Sequence, residues 1–73
     1  MPKLRRLSGA EVRRILEVHG FALVRQRGSH MVMQRKVTNS TITAIVPDHA
    51  ELRIGTLQSI IRQSQLAREL FEA

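Results

Sequence analysis

The stretch that decides the fold runs from Phe21 to Val46 and reads FALVRQRGSHMVMQRKVTNSTITAIV. It contains three runs rich in β-branched and apolar residues, which predict strands at 21–26, 30–36 and 41–46. The segment Arg27-Gly28-Ser29 separates the first two runs as a tight turn, and Asn39, which tolerates turn conformations, lies between the last two. Connections this short favour antiparallel pairing, so the sequence predicts a three-stranded antiparallel meander.

The alternation of side chains along these strands gives the sheet one apolar face. The residues expected on that face are Met31, Met33, Ile42, Ala44 and Val46. The residues expected on the opposite face are His30, Val32, Gln34, Thr41, Thr43 and Ile45. An apolar sheet face must be covered by other elements, and we expect helices to cover it.

The first helix is predicted before the meander, over residues 9–19. Ser8 and Glu11 have the spacing of a capping box, and Leu7 with Val12 could form the accompanying hydrophobic staple. Its apolar stripe is formed by Val12, Ile15, Leu16 and His19. Gly20 can adopt the left-handed conformation that ends a helix.

Helical signals return after the third strand. Pro47 donates no ladder hydrogen bond and should end that strand, and residues 48–54 should form a loop that carries His49. Gly55-Thr56 should open the second helix with Thr56 as N-cap, and Ser64 should cap a final short helix. The expected architecture is therefore one α+β domain over residues 1–73, in the order α-β-β-β-α, with the helices packed on one face of the sheet.

Charge is the strongest feature of the composition. Twelve Lys and Arg against six Asp and Glu give a net charge of +6, and ten of the twelve cations are Arg. Guanidinium groups form bidentate contacts with phosphate, so we expect a nucleic acid or an acidic protein as partner. The absence of cysteine and of a long apolar run favours a cytoplasmic protein without membrane contact.

Metal and cofactor motifs do not occur in the sequence. There is no C-x-x-C, H-E-x-x-H or P-loop pattern, and the six carboxylates form no spaced pair in a strand or loop. Two-metal nucleases need clustered carboxylates, so we expect no metal and no cofactor.

The three histidines are the remaining candidates for acid–base chemistry. His19 at the end of the first helix is interpreted as structural. His30 follows Gly28-Ser29 and is flanked by Arg25 and Arg27, which could hold a phosphate beside an imidazole that exchanges protons near neutral pH. A lone histidine near a turn is a weak signal, however, and from the residues alone a structural role for His30 is favoured. His49 either helps an active site or anchors its loop, and the pattern favours anchoring.

Aromatic side chains are scarce. Phe21 and Phe71 both fall at apolar-pattern positions, and there is no Tyr or Trp. Readers of single-stranded nucleic acid usually stack bases on exposed aromatic rings. The sequence therefore indicates contact through phosphates, shape and 2′-hydroxyl groups.

Three motifs resemble one known family, the HicA-type mRNA interferase toxins. The segment from Gly20-Phe21 to Gly28-Ser29-His30 is similar to their "GF…RQ-x-GSH" signature, and Ile45 to Leu52 is similar to their "V-P-x-H…EL" stretch. Residues 55–63, GTLQSIIRQ, resemble their "GTL-x-x-I-x-[RK]-Q" helix. The resemblance covers residues 7–70, nearly the whole chain.

The resemblance implies a double-stranded-RNA-binding-domain-like fold and metal-independent cleavage of mRNA, with His30 as the catalytic residue. From the residues around it, Arg25, Arg27, Gly28, Ser29 and His49 are the candidate substrate-binding residues. It also implies a HicB-like antitoxin that covers the active site, so we expect a hetero-oligomer with the antitoxin. From the apolar residues of the strands and helices we expect the free protein to be a monomer. Water, Arg25, Arg27 or His49 could supply the general acid.

Two other functions are compatible with the same residues. A non-catalytic RNA-binding module of this fold would keep the basic face and would not need His30. A protein-interaction module would use that face to bind an acidic partner and would cleave no RNA.

Overall fold

A computed structural model describes residues 2–73 of the chain. Along the chain, one helix precedes a three-stranded sheet and a second helix follows it. A short 3₁₀ helix, Arg68–Phe71, comes last. The elements are α1 (Gly9–Val18), β1 (Ala22–Arg27), β2 (His30–Val37), β3 (Ser40–Pro47) and α2 (Ile54–Ser64). The order α-β-β-β-α and the α+β class are those predicted, and they agree with a double-stranded-RNA-binding-domain-like fold.

The sheet is an antiparallel meander with β2 in the centre and β1 and β3 at its edges. Two-residue loops join the strands, at 28–29 and at 38–39, and Asn39 adopts the left-handed conformation expected there (φ 61°). Each strand differs from its prediction by one residue at one or both ends. Pro47 is the last residue of β3, where it pairs with His30, and it ends the strand as predicted.

The core lies between the helices and one face of the sheet. The sheet contributes Met31, Met33, Ala44 and Val46, with Leu23 and Ile42 at its margin. The helices and their flanking segments contribute Leu7, Val12, Leu16, Phe21, Leu52, Leu57, Ile60 and Phe71. This confirms that the helices pack on one face. Val32 lies on the opposite face as predicted but is only 7% exposed, because its register partners Arg25 and Ile45 flank it on both sides.

The capping box of α1 is present as predicted. The Ser8 hydroxyl accepts a hydrogen bond from the Glu11 backbone N–H at 3.0 Å, and the Glu11 carboxylate accepts one from the Ser8 backbone N–H at 2.9 Å. Leu7 and Val12 are both buried in the core. The helix ends at Val18, one residue before the predicted end, and Gly20 has the positive φ expected beyond it (93°).

This capping box makes part of the stability depend on pH. The hydrogen bond from the Ser8 backbone N–H stabilises the charged form of Glu11 and lowers the pKa of its carboxyl group. A lowered pKa in the folded state means that the contribution is present above the ordinary carboxyl range and is lost as pH falls through the lowered value. Glu11→Gln should therefore be less stable than the wild type in urea at pH 7, and the difference should shrink at pH 3. An equal difference at both values would contradict this.

Both predicted caps in the C-terminal half are wrong. The second helix begins at Ile54, with Arg53 as an N-cap that makes no side-chain hydrogen bond, so Thr56 lies inside the first turn. Ser64 is the last residue of α2; its buried hydroxyl donates to the Ile61 carbonyl at 2.9 Å and accepts from the Leu66 backbone N–H at 3.2 Å. Gln65 in the left-handed conformation ends the helix, and the 3₁₀ helix begins only at Arg68.

The two ends of the chain lie side by side, a contact that the sequence did not indicate. The Arg5 backbone N–H donates to the Phe71 carbonyl at 2.8 Å, and the Ala73 backbone N–H donates to the Lys3 carbonyl at 2.9 Å. This pairing holds Phe71, which is fully buried, in the core. Among residues 2–73, no helix is both long enough and apolar enough to cross a bilayer.

Candidate active site

His30 is the first residue of the central strand, directly after the turn Gly28-Ser29. Gly28 has a φ of 57°, a conformation that a side chain at this position would strain, so glycine permits the two-residue turn. The Gln26 side-chain amide donates to the Gly28 carbonyl at 3.1 Å, and the Asp48 backbone N–H donates to the Ser29 carbonyl. These bonds tie the turn to its own strand and to the segment after β3, so the backbone that carries His30 is held from two sides.

A β-bulge at Val24 determines which face Arg25 and Arg27 occupy. Leu23 pairs with Met33 on the core face, but the register shifts after Leu23, so that Arg25 pairs with Val32 and Arg27 with His30. Directly opposite residues of an antiparallel pair share a face, with Cβ atoms about 5 Å apart. Without the extra residue, strict alternation from Leu23 would turn both arginines toward the core. The bulge therefore brings both guanidinium groups to the face of His30.

Neither of these two arginines is neutralised by a carboxylate. In the part of the chain that the structure describes, the ion pairs are Arg13–Glu17 at 3.2 Å and Arg68–Glu72 at 2.8 Å. Arg25 and Arg27 are both exposed. Their donors are free to contact an anion that approaches His30 from the side of β1.

On its other side His30 borders a shallow groove between β3 and α2. The groove has a volume of about 370 Å³ and is open to solvent. Ile45 and Pro47 of β3 line it, together with Gly55, Thr56, Ser59, Ile60 and Gln63 of α2. The exposed imidazole thus lies between a cationic strand and an uncharged face of α2, and both sides are accessible from solvent.

The remaining predicted site residues lie apart from this groove. Gly28 and Ser29 are exposed in the turn, and the Ser29 carbonyl is already bonded to the Asp48 backbone N–H. The His49 side chain is exposed and does not line the groove, whereas its backbone carbonyl accepts from the Gly9 N–H at 2.8 Å. The backbone of residue 49 therefore anchors the loop through a bond that does not involve the histidine side chain.

His19 has the structural role predicted for it. Its Nδ1 atom lies 2.8 Å from the Ile15 carbonyl oxygen, to which the ring donates a hydrogen bond, and the residue is half-buried at the end of α1. Across residues 2–73, no three His, Asp or Glu side chains come close enough to form a metal site.

Sequence reasoning missed the contribution of α2 to the groove. Thr56, Ser59 and Gln63 recur at i, i+3 and i+7, which places them on one face of the helix. This polar stripe is visible in the sequence, but its position beside His30 depends on how α2 packs against β3.

Comparison with known families agrees with this arrangement. The family model described as "HicA toxin of bacterial toxin-antitoxin" matches residues 9–66, which is more than three quarters of the chain. The chain belongs to the HicA toxin family. The match includes the His30 turn, the bulged strand and the whole of the groove between β3 and α2. A comparison with curated proteins gave no match.

Proposed function

We propose that this toxin is a metal-independent endoribonuclease that cleaves mRNA, with His30 as the general base. The observation that carries the proposal is the position of His30 on an open surface, beside a groove and on the same sheet face as Arg25 and Arg27, which have no carboxylate partner. A base that serves a long polymer must be reachable without an enclosed pocket, and His30 meets that condition. Toxin action through RNA also suits a chain with a net charge of +6.

In the proposed reaction His30 takes the proton of a ribose 2′-hydroxyl group. The 2′-oxygen attacks the adjacent phosphorus, the bond from phosphorus to the 5′-oxygen breaks, and solvent water protonates the leaving oxygen. The products are a 2′,3′-cyclic phosphate and a 5′-hydroxyl end. A positioned general base contributes about 10²- to 10⁴-fold to the rate of such a step.

In this proposal Arg27 binds the phosphate during the reaction. It lies directly opposite His30 on the same face, and Arg25 lies two residues further along the same strand. Charge builds up on the phosphate oxygens as the 2′-oxygen attacks, and a guanidinium group stabilises that charge by two parallel hydrogen bonds. Gly28 and Ser29 have small side chains, so the turn that they form would let the RNA backbone come close to His30.

The end groups of the products test the proposed chemistry. RNA digested by the purified toxin in excess EDTA should carry 2′,3′-cyclic phosphates and 5′-hydroxyl groups, and substrates with 2′-O-methyl groups should resist cleavage. Products with 3′-hydroxyl and 5′-phosphate ends, or a requirement for a divalent cation, would contradict the mechanism. Binding of RNA without cleavage would instead support the non-catalytic RNA-binding module.

Replacement of Arg27 should weaken substrate binding. Arg27→Ala should raise KM for an RNA oligonucleotide about 3- to 10-fold, since one charged contact to phosphate is lost, and should also lower kcat, since the same contact stabilises the transition state. It should also reduce the slope of log affinity against log salt by about 0.7. Arg14→Ala is the matched control, because Arg14 is an exposed arginine of α1 and the variant has the same net charge. Equal KM values for both variants would show that Arg27 does not bind the substrate.

Regulation by a partner follows from the family. A toxin of a toxin–antitoxin system is neutralised by its antitoxin, and we propose a HicB-like protein that covers His30 and the groove in a hetero-oligomer, while the free toxin is a monomer. Acidic side chains on that partner would complement Arg25 and Arg27.

A further inference from the structure

The groove beside His30 differs in chemistry from the strand on the opposite side. Its lining by β3 is apolar, with Pro47 and with Ile45, which is 45% exposed. Its lining by α2 is uncharged and includes three polar side chains, those of Thr56, Ser59 and Gln63, together with Ile60. Apart from His30, the groove lining offers a phosphate no cation, whereas a nucleobase has flat apolar faces and a polar edge that match its apolar and polar sides. The two sides of His30 are therefore suited to different parts of one nucleotide.

Gln63 is held in place by two hydrogen bonds. Its side-chain oxygen accepts from the Ile45 backbone N–H at 3.0 Å, and its side-chain nitrogen donates to the Ser59 hydroxyl oxygen at 3.4 Å. Since β3 is an edge strand, the Ile45 N–H points away from the sheet, and Gln63 satisfies it. The bond to Ile45 also fixes the orientation of the Gln63 amide, because only its oxygen, and not its nitrogen, can accept from the Ile45 N–H.

These two bonds determine which groups the polar wall of the groove, formed by Thr56, Ser59 and Gln63, presents to a ligand. Because the Ser59 oxygen accepts from Gln63, the Ser59 O–H remains available as a donor. The Gln63 amide keeps its second N–H, and the Thr56 hydroxyl adds a further donor group. The wall is thus rich in donors and complements a group that carries acceptors.

We propose that Thr56, Ser59 and Gln63 bind the acceptor edge of one nucleobase next to the scissile phosphate, while Ile45 and Pro47 contact its face. The groove volume of about 370 Å³ falls at the small end of ligand sites, which span about 300–1,000 Å³, and suits one nucleoside. This inference rests on the proposed cleavage of RNA, and it assigns base selection to α2 and phosphate binding to β1. Besides contacting the base, Gln63 orients Ser59 and ties α2 to the edge of the sheet.

The test compares binding of three uncleavable dinucleotides, each with a 2′-deoxy sugar at the scissile position. One analogue has both bases, and the others lack the base on one side or the other. We expect the wild type to bind the intact analogue at least 5-fold more tightly than one of the abasic analogues. Ser59→Ala should reduce that ratio about 3- to 10-fold, in line with the loss of one hydrogen bond. Its affinity for the abasic analogue should not change.

Two further variants complete the comparison. Thr56→Val removes a hydroxyl group at nearly constant shape and should act as Ser59→Ala does. Gln58→Ala changes a neighbouring exposed residue of α2 that lines other surfaces, and it should leave the ratio unchanged. A ratio that is the same in the wild type and Ser59→Ala, or no preference for the base, would overturn the inference. Failure of the proposed function would show separately, as an RNA dinucleotide that binds but is not cleaved.

Discussion

Cells that express the His30→Ala chain should continue to grow, whereas cells that express the wild type should stop. The variant lacks the proposed base, and its rate of RNA cleavage should fall about 10²- to 10⁴-fold. His30 is exposed, so its removal creates no cavity, and the free energy of unfolding should change by about 0.5 kcal/mol or less. Loss of toxicity would therefore come from chemistry and not from unfolding.

A control variant separates this effect from the loss of any histidine. His19 bonds to the Ile15 carbonyl at the end of α1 and has no place in the groove. His19→Gln should remain toxic, with at most a small loss of stability. Growth arrest by a folded His30→Ala protein would contradict the proposed role of His30.

Gly9→Ala should destabilise the protein by about 3 kcal/mol, a large effect for the addition of one methyl group. A Cβ atom at Gly9 would lie 2.0 Å from the Pro47 carbonyl oxygen and 2.9 Å from the Asp48 Cα atom. Both are backbone atoms, so relief requires α1 to move away from the end of β3. The same movement would strain the hydrogen bond from the Gly9 N–H to the His49 carbonyl, which measures 2.8 Å.

Gly55→Ala is the matched control for this prediction. No heavy atom lies within 4 Å of a Cβ atom built at Gly55, and the residue lies within the first turn of α2. Alanine favours a helix by up to about 1 kcal/mol over glycine, so this variant should be as stable as the wild type or more so. Urea unfolding measures both, and the thermal midpoint of Gly9→Ala should fall by roughly 12–24 °C. Equal stability of the two variants would contradict the close contact at Gly9.

The features that the sequence predicted are those set by neighbouring residues. The capping box joins Ser8 to Glu11 within one turn, and the hairpin at Gly28-Ser29 follows from a glycine that tolerates positive φ. The apolar face of Met31, Met33, Ala44 and Val46 follows from alternation alone. Such patterns allow few alternative local structures, because each depends only on residues that are close together in the sequence.

The features that escaped prediction depend on contacts between distant segments or on backbone groups. The bulge at Val24 cannot be seen in a run of strand-forming residues, although it decides the face of Arg25 and Arg27. The start of α2 was misplaced because its cap, Arg53, makes no side-chain bond that a motif could reveal. The polar wall of the groove forms only where α2 lies against the edge of β3. The hydrogen bond between the Ile45 backbone and the Gln63 side chain, 18 residues apart, holds α2 there, and a local pattern does not reveal it.

The measurement that tests the central claim most directly is RNA cleavage in EDTA by purified wild type and His30→Ala, after circular dichroism shows that both are folded. We expect the wild type to cleave and the variant to be at least 100-fold slower, in line with the loss of a general base. Equal cleavage by the two proteins, or none by the wild type, would contradict the account of His30 as the base of a metal-independent ribonuclease.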